Sequence, residues 1–345
     1  MLSMDIRELL KGNPLPWLLE PDPAQPGIRY FALKDLLGRG EEEREVQEAL
    51  RAIMFTGPVP AILAAQEPQG FWVKPGPGYD PKYTGTVCQV TFLGQLGADA
   101  ADRRVRAGCD YILTHAIASH GGFSATGAPS GFIHCLGGNL AAALIDLGQV
   151  GDQRLQRALE WQARAIVGER IAGADCKDTK ERYYKSGTCG PLFACAANAG
   201  LACAWGAVKA MRALSKVPPK LLTPVMRSAI AMGVGFLLGR DLALTDYPSG
   251  YSSKPSSSWF RFGYPIGYVT DVLENLEVLA VLGYAKDQRL AGALNLVLGK
   301  QDDRGRWRLE YTYNGKTWAD VEEKGKPSKW VTLRALRVLR AAYQA

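Results

Sequence analysis

One phrase occurs three times in this chain, and it restricts the fold more than any other feature. Leu96-Gly97 is followed by Asp102-Arg103-Arg104-Val105, Leu147-Gly148 by Asp152-Gln153-Arg154-Leu155, and Leu282-Gly283 by Asp287-Gln288-Arg289-Leu290. Glycine adopts the left-handed backbone that ends a helix, and aspartate accepts hydrogen bonds from the first free amides of the next one. Each copy therefore reads as the turn of a helical hairpin. A hairpin repeated along a chain buries its apolar faces by stacking on its neighbours.

The helices on the two sides of these turns differ in character. Val105, Cys109, Ile112 and Leu113 recur at helical spacing, as do Leu155, Ala158, Leu159, Trp161 and Ala165, and each set leaves one polar face. Segments 140–145, 203–208 and 278–282 are apolar on nearly every side, which requires burial on two faces. Inner helices are expected near 28–38, 84–96, 132–148, 195–214, 265–283 and 329–343, and outer ones near 43–66, 102–118, 152–168, 222–240 and 287–300. Six inner helices suit an all-α fold, a single (α/α)6-type toroid of repeated hairpins at 28–345, preceded by an N-terminal extension at 1–27. The long segments 67–83, 169–194, 241–264 and 301–328 all join an outer helix to the next inner one. They would crowd one rim, and loops of that length usually carry function. Substrate entry into a central hydrophobic cavity is expected on that side.

The composition, 47% apolar and 22% charged over 345 residues, is that of a globular protein with a large core. No run of about 20 apolar residues marks a membrane span. The first ten residues include acidic side chains and no apolar h-region, so the chain reads as cytoplasmic. Seven cysteines without framework spacing argue against structural disulfides. The net charge of +7 is dispersed except at Lys324, Lys326, Lys329, Arg334, Arg337 and Arg340. That cluster reads as a solvated face of the last helix, or as a weak peripheral contact to a membrane or a phosphorylated substrate. Nucleic acid is not an expected partner.

Two outer helices end in a Gln followed by Gly and an aromatic residue: Gln66 with Gly70, Phe71 and Trp72, and Gln301 with Gly305, Arg306 and Trp307. His120-Gly121-Gly122-Phe123 is a degenerate version. The pattern resembles the QW repeat of squalene and oxidosqualene cyclases, in which these residues staple helix end to loop. Together with the repeated turn it covers about residues 43–345, and the chain resembles the terpenoid-cyclase and protein-prenyltransferase toroid superfamily. The resemblance implies that Trp72 and Trp307 are structural.

Departures from that family are as informative. Class II cyclases protonate their substrate with a DxDD sequence or a DCxx variant, and DxDD is absent here. Asp175-Cys176-Lys177-Asp178 lies in a loop, and Asp302-Asp303 falls within the Gln-Gly-Trp segment. Prenyltransferases hold zinc with Asp-x-Cys and a His on the next inner helix. Here Leu201 stands two before Cys203, and Val269 follows Tyr268 where the family has its His. Large polycyclic products and peptide prenyl transfer are not expected.

Polar groups at the starts of apolar inner helices are the functional candidates, because a buried polar group must be paired or used. Asp271 and Glu274, three residues apart, would share a proton and so supply an acid; the plain alternative is a salt bridge to Arg261, Arg334 or another basic residue. Trp259, Phe262, Tyr264 and Tyr268, with Gln89, Trp205 and Trp330, are candidate substrate contacts, since aromatic faces stabilise cations. An aromatic core or lid is the alternative. His134, Cys135, Cys195 and Cys203 are a candidate zinc set, since lanthipeptide cyclases, also α/α toroids, bind zinc through two Cys and a His. Packing alone also buries free cysteines. Three functions follow: a cyclase-like enzyme acting on an isoprenoid-like substrate by acid-base chemistry, a zinc-dependent toroid enzyme, and a non-catalytic ring that binds lipid or protein.

Overall fold

The structure, a computed structural model, describes residues 6–169 and 189–344. Its helices are α1 (Ile6–Leu9), α2 (Leu15–Leu19), α3 (Gly27–Phe31), α4 (Arg44–Phe55), α5 (Pro58–Ala64), α6 (Thr86–Leu96) and α7 (Arg103–His115). They continue with α8 (His134–Asp146), α9 (Gln153–Val167), α10 (Ala204–Ser215), α11 (Pro224–Leu238), α12 (Val272–Leu279), α13 (Ala291–Gly299) and α14 (Lys329–Tyr343). The only named strands among the described residues, β1 (Trp307–Arg308) and β2 (Pro327–Ser328), form a short antiparallel pair.

The fold is all-α, and its inner helices close a ring. Going round, α6 packs on α8, α8 on α10, α10 on α12, α12 on α14, and α14 on α3. The seam between α3 and α6 closes where Gly27 lies against the Leu96 carbonyl and Gly97 against the Phe31 ring. Helices α4 and α5, α7, α9, α11 and α13 pack outside these. The tightest approach is between α8 and α10, where a Cβ on Gly138 would run into the backbone of Lys209.

The repeated phrase is one device used three times. Gly97, Gly148 and Gly283 have φ of 79°, 77° and 92°, which only glycine adopts without strain. Asp102, Asp152 and Asp287 each accept from the amide two residues on, at 2.7, 2.7 and 2.9 Å. Each also pairs with the guanidinium of that same residue, at 2.8, 2.8 and 2.6 Å.

The two Gln-Gly-Trp segments also act alike. The Trp72 indole donates to the Ile62 carbonyl at 2.8 Å, and Trp307 to Val297 at 2.7 Å, closing the end of an outer helix. The backbone amide of each tryptophan donates to a threonine on the next inner helix, Thr86 at 3.1 Å and Thr332 at 3.0 Å. Both rings are fully buried. Their work is to join helix, loop and following helix.

The residues before 27 take part in the ring. Helix α2 packs between α14 and α3, with Leu18 fully buried. The Lys11 amide donates to Gln301 Oε1 at 2.8 Å, and Gln301 Nε2 donates to the Leu9 carbonyl at 3.0 Å. This segment supplies the sixth outer position.

Three expectations are corrected. Helix α10 begins at Ala204 and α12 at Val272, later than apolar character alone suggests. Residues 195–203 form turns and isolated bridges around the positive-φ residues Ala199 and Gly200, and 264–271 contain Pro265 and Gly267 before the Asp271 cap. The C-terminal cations are not a solvated face either. Lys329 pairs with Asp22 at 3.1 Å, Arg337 pairs with Asp35, and Arg334 is buried against Asp271 and Glu277. Lys324 and Lys326 stay exposed.

Candidate functional site

The middle of the ring is occupied by ion pairs. Lys209 and Glu274 pair where both are buried, and burial pulls the Lys209 ammonium below its ordinary pKa against the opposing pull of Glu274. Thr270 Oγ1 also donates to Glu274, at 3.0 Å. Asp271 caps α12: its Oδ1 accepts from the Glu274 amide at 2.7 Å and from Arg334 at 3.0 Å. Its Oδ2 accepts from the Gly263 amide and from Arg334, both at 3.1 Å. The two carboxylates thus face different cations. A cap points its carboxylate back towards the helix start, whereas a first-turn Glu reaches across to α10. The geometry makes Asp271 an acceptor of four hydrogen bonds, none of them from the Glu274 side chain.

The stretch before α12 lies across the inner helices as a strap. Gln95 on α6 exchanges two hydrogen bonds with the Ile266 backbone, both at 2.7 Å. Asn139 on α8 donates to the Gly267 carbonyl at 3.2 Å. Beside the strap is a pocket of about 10 Å³, lined by Pro265, Ile266, Val269, Tyr311 and Asp271 among others.

Tyrosines gather at the rim above this strap. Tyr79 lies 5.7 Å from Tyr268, ring to ring. Tyr313 lies 5.3 Å from both Tyr83 and Tyr311. A Cβ on Gly267 would collide with the Tyr313 hydroxyl, so the two groups adjoin. Tyr79, Tyr83, Tyr268 and Tyr311 are half-buried, and burial pushes the Tyr79 phenol up to about 12. Gln89 donates to the Tyr83 carbonyl at 2.6 Å, but its buried Oε1 has no partner, and neither does Asn139 Oδ1.

Of the aromatic candidates only Tyr268 reaches this mouth. Tyr264 stacks on Trp330 at 4.2 Å and donates to the Gln95 carbonyl at 2.6 Å, while Trp330 donates to Gln25 at 2.7 Å. Trp259 packs on Tyr247, Phe262 sits under the Lys300 ammonium, and Trp205 is half-buried against the core. Tyr79, Tyr83, Tyr311 and Tyr313 are residues that the helix-start argument passes over. Their one signal was tyrosines recurring in two of the long Gly- and Pro-containing loops.

The thiols lie at the starts of α8 and α10. His134 is buried; Nε2 donates to the Gly190 carbonyl at 3.0 Å, Nδ1 has no partner, and burial pushes its pKa down to about 4. Cys135 is half-buried, and burial pushes its thiol up to about 12. The neighbouring Cys189 and Cys203 thiols pull the Cys195 thiol below its ordinary pKa. The structure therefore joins Cys195 and Cys203 and adds Cys189. Among the described residues no group of three or more His, Cys, Asp or Glu is arranged to hold a metal ion, and no step is routed through one. Asp175, Cys176, Lys177 and Asp178 lie outside the described residues.

No family model matches the chain, and no curated protein matches it. Among solved structures it is similar to the type II terpene cyclase MstE from Scytonema. A variant of that protein in complex with merosterolic acid A is 14% identical, over 93% of this chain and 87% of that one, with a TM-score of 0.45. A variant in complex with geranylgeranyl dihydroxybenzoate is 15% identical, over 93% and 86%, also with a TM-score of 0.45. The apo form is 15% identical, over 92% and 87%, with a TM-score of 0.43. The ring described above rests on this chain's own contacts.

Proposed function

We propose that the protein is a terpenoid-cyclase-like enzyme that takes an apolar, isoprenoid-like small molecule at the tyrosine mouth of the ring. The observation that supports this reading is the cluster of loop tyrosines beside the strap, where Gln89 Nε2 donates to the Tyr83 carbonyl and Asn139 Nδ2 to the Gly267 carbonyl while the buried Gln89 Oε1 and Asn139 Oδ1 have no partner. Aromatic rings offer an apolar contact and a negative face for positive charge. A buried acceptor without a donor costs roughly 1–3 kcal/mol, which a ligand hydroxyl would recover.

Asp271 acts from the neighbouring pocket through its fixed position. Held by Arg334 and two backbone amides, it helps balance positive charge developing on a substrate. That suits an isomerisation or cyclisation that passes through a cationic intermediate. A pocket of about 10 Å³ holds no isoprenoid, so the ligand body lies against the exposed faces of the half-buried tyrosine rings.

Titration of the purified protein with a farnesyl-type alcohol tests this. Saturable binding, weakened at least about tenfold in both Tyr79→Ala and Tyr268→Ala with unchanged circular dichroism, supports it. Equal affinity in all three proteins rejects it. Binding without turnover would leave a lipid-binding ring.

A zinc reading draws on one observation, the partnerless His134 Nδ1 near Cys195. Stoichiometric zinc that is lost in Cys203→Ala favours it, and metal-free protein rejects it.

A further inference from the structure

Three short extended segments precede α10 and bring three thiols onto one face. Cys189 pairs with Cys195, and Ala194 with Ala202, both antiparallel. The Cys195 amide donates to the Leu201 carbonyl at 3.1 Å and the Cys203 amide to Phe193 at 2.9 Å, so residues 194–195 form the middle segment. Side chains alternate between faces along an extended segment. Cys189, opposite Cys195, and Cys203, two places beyond Leu201, therefore share a face with Cys195.

The register suits a bond between the first two. The Cys189 amide donates to Phe132 and the Cys195 amide to Leu201, while Gly190 donates to Ala194 at 2.8 Å. Cys189 and Cys195 are thus a non-hydrogen-bonded antiparallel pair, the kind whose Cα atoms lie about 4.5 Å apart. A disulfide spans roughly 4.4–6.8 Å between Cα atoms. Phe132 and Trp161 pack behind the pair. Cys189 is 2% exposed, Cys195 is 8% exposed, and Cys203 is half-buried, so a small reagent meets Cys195 before Cys189.

We propose that Cys195 and Cys189 form a two-thiol exchange site for small disulfides, with Cys195 as the attacking sulfur and Cys189 as the resolving one. The Cys195 sulfur, its proton released to solvent, attacks one sulfur of the disulfide. A mixed disulfide forms, the original S–S bond breaks, and the leaving thiolate is protonated. The Cys189 sulfur then displaces the second thiolate from Cys195, and its proton goes to that leaving group. The protein loses two electrons and two thiol hydrogens, and the small disulfide becomes two thiols.

The full chain is incubated with oxidised glutathione, digested without reduction, and mapped by mass spectrometry. The expected result is a cross-link between Cys189 and Cys195, retained in Cys203→Ser. In Cys189→Ser, glutathione is expected to stay attached at Cys195. Glutathione attached to Cys203 or Cys135 with Cys195 unmodified overturns the proposal, as does a cross-link that omits Cys195. So does stoichiometric zinc in the purified protein that is lost in Cys195→Ser. Mapping of the unsubstituted protein decides the matter even if a variant fails to fold.

Discussion

Lys209 Nζ is paired with Glu274 in the centre of the ring, where the two side chains are 0% and 1% exposed. Removing one member of such a pair strands the other, at about 3–5 kcal/mol, whereas replacing both with apolar residues is often neutral. Glu274→Leu leaves Lys209 with only the Val269 carbonyl, at 3.5 Å. It is expected to cost about 3–5 kcal/mol in urea unfolding, and Lys209→Met added to it restores most of the loss. A single variant as stable as the parent would mean that the pair carries no such weight.

His134 makes stability depend on pH. Its pKa of about 4 lies below the ordinary 6.5 because the ring is buried. As pH falls below 6.5 the unfolded chain binds a proton that the folded chain refuses until about 4, so stability declines across that window and levels off below it. The whole effect is of order 3 kcal/mol. Unfolding of the parent and of His134→Gln between pH 7 and 4 checks this, with a flatter profile expected for the variant.

The tryptophan staples are structural. Trp72→Phe and Trp307→Phe each remove an indole bond to a helix-end carbonyl. Each is expected to lose about 1–3 kcal/mol of stability, with ligand affinity unchanged. A selective loss of ligand binding in either variant would place that ring in the site instead.

Asp271→Asn keeps a side-chain acceptor for the α12 cap, and Arg334 keeps Glu277 at 2.8 Å. If the Asp271 charge supports the chemistry, turnover falls by about a hundredfold or more while ligand affinity changes little. Full activity in this variant removes Asp271 from the chemistry.

The ring was legible in the sequence because its signals are local and repeated. Gly97, Gly148 and Gly283 with their following aspartates mark the turns, and two-faced apolarity separates inner from outer helices. The role of the N-terminal segment was not, since the contacts of Lys11 and Leu9 with Gln301 span 290 and 292 positions. Of the two readings of Asp271, the structure shows the ion pair with Arg334, whereas Lys209, the partner of Glu274, comes from another helix and spacing along α12 does not point to it. The loop tyrosines had no such signal: Tyr79 and Tyr313 stand in loops without periodicity, and Tyr79 meets Tyr268, and Tyr313 meets Tyr83, only in the folded chain.

A light-activated cross-link made by a diazirine-bearing polyprenyl alcohol tests the central claim most directly. The tyrosine mouth predicts adducts on peptides containing Tyr79, Tyr268 or Tyr313, suppressed by excess unlabelled alcohol. Adducts confined to the outer helices, or insensitive to competition, would contradict it.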